Sequence, residues 1–348
     1  IFMDPWGYNF KPEHEFEKLS DSAEYLAVLG KLNIYCSFKY IILIMASSSN
    51  IDLTGTTFCV VTGASQGIGR VLAIEVSKLF GPNSIMLLLA RKKEELAQTA
   101  KLCESNNVKV FHKSVDLSVA SEKEMYDIIE QALDGRKVTE FAASMIFHNV
   151  GSLGNLSIET SRIEEIEELR QYFDLNVFKV ISLNTQFLKI FEEIEDRIII
   201  VNTTSLCAIK PMSGMAYYCS GKAAREMYFR VLAEEKKNMI ILNYSPGPVE
   251  TSMIDHVLDK TVNANLKEVF TSFKNQGTLL KSIAMTAGRK SLFLFLMNLA
   301  WKCRFSMPLL LSGSVALLGQ AWMFQIRVQT VHRLHENEVY LNDIYNLF

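Results

Sequence analysis

Proline and cysteine are scarce in this chain: seven prolines and six cysteines among 348 residues. None of Cys36, Cys59, Cys103, Cys207, Cys219 and Cys303 stands in a CxxC pair or at Cys/His ligand spacing. That argues against a disulfide framework and a zinc site, and for reduced thiols; no metal site is expected. Charge of one sign is also lacking. A formal net charge of −2 leaves no basic footprint for nucleic acid. No internal repeat of solenoid period is present. The apolar run YIILIMA, Tyr40 to Ala46, is too short and too far along the chain for a secretory signal.

What is present changes character along the chain. Residues 1–50 mix acidic, aromatic and short helical-looking pieces, and Met45 followed by small polar residues resembles a translation start. We read 1–50 as an extension without a chemical role, 51–282 as one enzyme domain, and 283–348 as an apolar tail. Within the tail, Phe305 to Phe324 carries no charge and is just long enough to span a bilayer. A non-homologous, poorly folding end is the preferred reading of this tail over a membrane helix.

The middle segment is regular. TFCVVT, SIMLLLA, VKVFHK, ASMIFHN, RIIIVNTT and MIILNYS read as strands, mostly as unbroken apolar runs. Between them lie helical patterns, including GIGRVLAIEVSKLF, SEKEMYDIIEQAL, a long segment from about Ile166 to Phe191, and YYCSGKAAREMYFRVLAEE. Alternation of this kind predicts a doubly wound α/β parallel sheet, a Rossmann fold, with helices on both faces.

VTGASQGIG follows the first strand and opens the first helix, with Gly63, Gly67 and Gly69 at G-x-x-x-G-x-G spacing. Small residues there let the backbone approach a pyrophosphate at a helix N-terminus. The second strand ends in LLLARKK. An NAD site usually has an acidic residue there, whereas Arg91 and Lys92 suit the extra phosphate of NADP. Asp116, after the third strand, is placed to meet the adenine edge. Asn149, Val150 and Gly151, after the fourth, are placed to meet a ribose.

Ser205 ends the fifth strand, and Tyr218 and Lys222 lie one helical turn apart. A hydride donor at the strand ends needs an acid for the carbonyl oxygen being reduced. Tyr218 fits that role if a nearby Lys222 cation lowers its pKa. Ser205 can bind the carbonyl oxygen, and Asn176 can position a water that refills the proton relay.

Together, TGASQGIGR, NVGSLG, SLCAIKP, YYCSGKAAR and PGPVET resemble the short-chain dehydrogenase/reductase family over about residues 53–282. Within the family the likeness is to the branch that reduces side-chain carbonyls of pterins, such as sepiapterin and 6-pyruvoyl-tetrahydropterin, in tetrahydrobiopterin synthesis. The resemblance implies NADPH as cofactor, held by Gly63, Ala64, Ser65, Gln66, Gly67, Ile68, Gly69, Arg91, Lys92, Asp116, Leu117, Tyr218, Lys222 and the stretch Val249, Glu250, Thr251, Ser252, Met253 and Ile254. It implies substrate contacts at Ser205, Leu206, Tyr218 and Gly247. It also implies a cytoplasmic homodimer, with Met227, Phe229, Val231, Leu232, Phe187 and Phe191 as candidates for the subunit face. The likeness stops before the C-terminal aspartate that clamps the pterin in this branch; Asn342 and Asp343 lie in no matching motif. The alternatives are a reductase of other small carbonyls or diketones, and a membrane-tethered cofactor-binding protein with little turnover.

Overall fold

The computed structural model describes residues 51–276 and 279–281, and the backbone of 326–329. The extension 1–50, the candidate membrane span 305–324, and Asn342 and Asp343 lie outside the described residues.

Six strands run parallel: β1 (Thr57–Thr62), β2 (Ile85–Ala90), β3 (Lys109–Ser114), β4 (Ala143–His148), β5 (Ile198–Thr203) and β6 (Ile240–Tyr244). The sheet order is β3-β2-β1-β4-β5-β6-β9, where β9 is Ile326–Gln329. The order reverses between β1 and β4, which opens a crevice at the C-terminal strand ends. The crossovers are α1 (Gly67–Ser77), α2 (Lys93–Glu104), α3 (Glu122–Ala132), α4 (Ile166–Phe173) with α5 (Lys179–Ile190), and α6 (Ala216–Glu235). Beyond β6 come β7 (Val249–Glu250), α7 (Ser252–Lys260), α8 (Ala264–Asn275) and β8 (Leu280–Lys281).

The unbroken apolar runs feed two cores. Cys59 and Val61, Met86 and Leu88, Met145 and Phe147, and Ile199 and Val201 face one side of the sheet. Phe58 and Val60, Ile85 and Leu87, Ile146, and Ile198 and Ile200 face the other. This period-two alternation, apolar in both registers, is what a sheet covered on both faces requires. β3 is the exception: Lys109, Lys113 and Ser114 are exposed on an edge strand, where charge discourages pairing with another chain.

The segment 166–191 is helical as expected, with a π turn, Asp174–Phe178, between α4 and α5. A piece of the tail joins the sheet. β9 pairs antiparallel with β6, Leu242 opposite Val328, so chain from 326–329 covers the sheet edge that would otherwise lie open.

Candidate active site

The glycine turn is held from below. The N–H groups of Gly63 and Ala64 donate to Leu89 O at 2.7 and 3.3 Å, which ties the turn to the end of β2. Gly63 and Gly67 have φ of +69° and +54°, in the left-handed region. Gly69 is glycine for another reason: a Cβ there would sit 2.3 Å from Gly63 O. The α1 N-cap, Gln66, makes no side-chain cap, so the first N–H groups of α1 are not taken up by their own cap residue. Ala64 and Ser65 are buried and Ile68 packs on the core, so these positions offer backbone rather than side chain.

Two segments converge on this turn. Lys92 Nζ donates to Gln66 Oε1 at 2.9 Å, and Gln66 Nε2 donates to Ser252 Oγ at 3.4 Å. A Cβ on Gly67 would be 3.4 Å from Thr251 Cγ2. The stretch Val249–Ile254 therefore lies against the glycine turn. Val249 and Ile254 bury their side chains and Met253 packs against the cluster that holds Ile254 and Val257, which leaves Glu250, Thr251 and Ser252 more open to solvent. Arg91 is largely exposed, 3.9 Å from Asp116. The Asp116 carboxyl is held below its usual value, first by the Ser118 hydroxyl, then by the Ser118 N–H and the Arg91 charge. The Leu117 side chain is buried in the core. These features fit a dinucleotide: a cradle that side chains would fill, a helix N-terminus aimed at it, and two cations at the β2 end.

The turn after β4 depends on a residue that sequence reading missed. Thr62 Oγ1 donates to Phe147 O at 3.0 Å and accepts from the N–H groups of Asn149 and Val150 at 3.0 and 3.1 Å. Asn149 Nδ2 donates to Thr62 O at 3.1 Å. The threonine directly before Gly63 was the available signal.

Asn176 sits in the π turn, a local widening of the helix often found at functional positions. Its Oδ1 accepts from Ser152 N at 2.8 Å, while its Nδ2 donates to Ser152 Oγ at 3.0 Å and Tyr172 O at 2.8 Å. The structure thus gives the side chain protein partners at both ends. Gly151 is the meeting point: a Cβ there would lie 3.3 Å from Asn176 Oδ1, 3.8 Å from Arg225 Nη1 and 3.9 Å from Lys222 Nζ.

Tyr218, Ser205 and Lys222 come together as expected. Ser205 caps a short 3-10 turn beginning at Leu206, its Oγ accepting from Cys207 N at 3.2 Å, and it hydrogen-bonds Tyr218. Lys222 Nζ donates to Thr203 O at 2.6 Å and lies 5.5 Å from the centre of the Tyr218 ring. The electrostatics differ from the sequence expectation. Burial pushes the Tyr218 phenol up to about 12, with Cys207 adding to the rise. The groups pulling it down are the Ser205 hydrogen bond and the Arg225 charge. Lys222 is itself held well below the usual lysine range by burial and by Arg225. The fixed cation acting on the phenol is Arg225, because burial and the Arg225 charge both disfavour the charged form of Lys222. Gly247 has φ of +75° in the loop that leads to β7.

The subunit-face candidates divide. Phe187, Phe191 and Phe229 are fully buried and Leu232 nearly so; they are core, not surface. Met227 and Val231, with Phe178, are exposed. Within α6, Met227 and Val231 lie one turn apart on one face and Phe229 and Leu232 on the opposite face, as helical spacing requires.

The short chain dehydrogenase family profile matches residues 57–262. The chain belongs to the short-chain dehydrogenase/reductase family. Family membership makes it an oxidoreductase that uses a nicotinamide cofactor on a small molecule. It is similar to the sepiapterin reductase of Xenopus tropicalis, 36% identical over 231 residues, 65% of this chain and 87% of that protein. The Bos taurus sepiapterin reductase is 31% identical over 229 residues, 65% and 85%. A benzil reductase of Bacillus subtilis is 24% identical over 199 residues, 56% and 75%. Among solved structures the KRED1-Pglu enzyme superposes with a TM-score of 0.56 at 22% identity, covering 73% of this chain and 97% of that one. That likeness speaks for the fold. Among the described residues no helix is long and apolar enough to cross a membrane.

Proposed function

We propose that this short-chain reductase is a cytoplasmic, NADPH-dependent carbonyl reductase acting on the side-chain carbonyl of a pterin of the sepiapterin type, in tetrahydrobiopterin synthesis. The observation that carries the reading is the grouping of Ser205, Tyr218 and Lys222 on the strand-end side that also bears the glycine turn. The likeness to sepiapterin reductases supports the pterin, and Arg91 and Lys92 at the β2 end support the 2′-phosphate of NADPH. Exposed Met227, Val231 and Phe178 on the helix faces support a homodimer.

In this reading the bound nicotinamide supplies the hydride. Gly63 to Gly69 and the N-terminus of α1 hold the pyrophosphate, and Asp116, Asn149, Gly151 and the 249–254 stretch line the rest of the cofactor. Ser205 Oγ donates to the substrate carbonyl oxygen, with Leu206 and Gly247 flanking it. Tyr218 Oη gives that oxygen its proton as negative charge develops there. Lys222 holds the ribose, and Asn176 fixes the loop at Ser152 beside the relay.

A second reading, reduction of other small dicarbonyls with the same machinery, is favoured by the likeness to a benzil reductase. NADPH oxidation by the full chain with sepiapterin, set against a panel of diketones, separates the two. Turnover of diketones alone removes the pterin assignment. Absence of any NADPH-linked turnover removes the reductase reading, including in favour of a cofactor-binding protein with little turnover.

A further inference from the structure

Arg225 is buried, at 1% exposure, and its partners are neutral oxygens. Its Nη2 donates to His148 O at 2.7 Å and Asn202 Oδ1 at 2.8 Å, its Nε to Asn202 Oδ1 at 3.1 Å, and its Nη1 to Val150 O at 2.8 Å. One guanidinium thus joins α6, the end of β4 and the end of β5. Asn202 Nδ2 donates in turn to Asn243 Oδ1 at 2.7 Å, which extends the clamp to β6. The two carbonyls it holds flank Asn149, where the ribose contact is proposed. Arg225 follows Lys222 by one helical turn and Tyr218 by two, so all three share the inward face of α6.

We propose that Arg225 is a positioning residue of the hydride-transfer site: it locks the β4 and β5 ends to the helix that carries Tyr218 and Lys222, and it keeps a permanent positive charge beneath them. The inference rests on the reading of Tyr218 as proton donor. A buried guanidinium is costly, and a core-filling role alone would be met by an apolar side chain of similar volume. Its fork instead meets three acceptors on two strand ends, a geometry an ammonium cannot reproduce. The charge has a second consequence. The titratable groups around Tyr218 are Cys207 from the β5 turn, Tyr172 from α4, and Cys219, Lys222 and Arg225 from α6 itself. Of these Arg225 is the one whose charge holds the phenol down.

The test uses the full chain with NADPH and whichever carbonyl substrate the wild type reduces. Arg225→Lys keeps charge and loses the fork: kcat should fall about 10–100-fold and KM for NADPH rise, with the pH profile retained. Arg225→Met removes both: kcat should fall further, and the alkaline limb of kcat should move to higher pH, since reduction needs the phenol protonated and its pKa rises without the cation. Should Arg225→Met fail to fold, Asn202→Ala removes two of the four bonds while leaving the charge, and should reproduce the Arg225→Lys pattern. The inference is overturned if the folded variants keep kcat and KM for NADPH within twofold, or if Arg225→Lys and Arg225→Met share one unshifted pH profile. A wild type without NADPH-linked turnover would instead sink the functional reading itself.

Discussion

The most exacting prediction concerns Gly221, between the tyrosine and the lysine of α6. A Cβ at Gly221 would lie 2.6 Å from Tyr172 Oη, 2.7 Å from Cε1 and 3.0 Å from Cζ. Contact at the hydroxyl is roughly 0.8 Å shorter than ordinary packing allows, so something must move. Tyr172 cannot turn away cheaply: it is buried and packed edge-on against Tyr217 at 5.5 Å and Phe173 at 5.7 Å. The remaining route is displacement of α6, which carries Tyr218 and Lys222. For Gly221→Ala, overpacking costs about 1–3 kcal/mol. Replacing glycine inside a helix returns about 1 kcal/mol. The net is about 0–2 kcal/mol of destabilisation, a melting shift of only about 0–8 °C for a chain of this size. Turnover should suffer more, by about 10–100-fold, because a displacement approaching 1 Å misplaces the proton donor. Adding Tyr172→Leu, which removes the clashing atoms, should restore part of the lost activity although Tyr172→Leu alone destabilises; the pair should be non-additive. Urea denaturation and NADPH oxidation on the four proteins of the cycle measure both effects. Gly221→Ala at wild-type turnover, with an additive double variant, would show that α6 does not depend on this contact.

Tyr218→Phe should lower kcat by about 10²–10⁴-fold while NADPH binding, followed by fluorescence, changes by less than about threefold; substantial residual turnover would count against the proton donor. Arg91→Ala should raise KM for NADPH about 10–100-fold and leave KM for NADH nearly unchanged, since only the former has the phosphate to lose. His148 is fully buried, and burial followed by the Arg225 charge holds its imidazole down to about 3. Its unfolded value is higher, so the unfolded chain takes up the proton first; stability is complete above about pH 6.5 and drains away as pH falls toward 3. Between pH 6.5 and 4.5 the loss is about 2–3 kcal/mol. Urea midpoints at the two pH values should show a smaller drop for His148→Gln than for the wild type, and equal drops would place the acid sensitivity elsewhere.

The strands were legible because a sheet buried on both faces demands continuous apolar text, and no soluble surface element supplies it. The glycine turn was legible because its chemistry is backbone chemistry and needs small residues at fixed spacing. Tyr218 and Lys222 were legible as neighbours because helical geometry puts i and i+4 on one face. Their electrostatics were not. Whether a lysine acts as a cation depends on its burial and its charged neighbours, and Lys222 is buried beside Arg225. The π turn was invisible because it arises from packing of Asn176 and Tyr172 against the loop at Ser152, not from local propensity. β9 was hidden for a different reason: its place is set by the free edge of β6, far away in sequence, and its own residues carry no family pattern.

A buried cation whose partners are neutral oxygens looks costly, and the cost has a physical direction. Arg225 faces His148 O, Val150 O and Asn202 Oδ1, groups that orient the cation without cancelling its charge. A carboxylate in the same position would stabilise it more and leave a neutral site. Keeping the charge uncancelled sets a standing positive potential at the strand ends, where a carbonyl oxygen becomes negative as hydride arrives. The dipoles that hold the cation are already fixed by β4 and β5, so little reorganisation is needed at the moment of reaction. Asn202→Asp, which places a carboxylate on Arg225, should slow carbonyl reduction about 10-fold or more even though it adds an ion pair to the core. A variant that gains stability and keeps its turnover would mean that the uncancelled charge has no part in the chemistry.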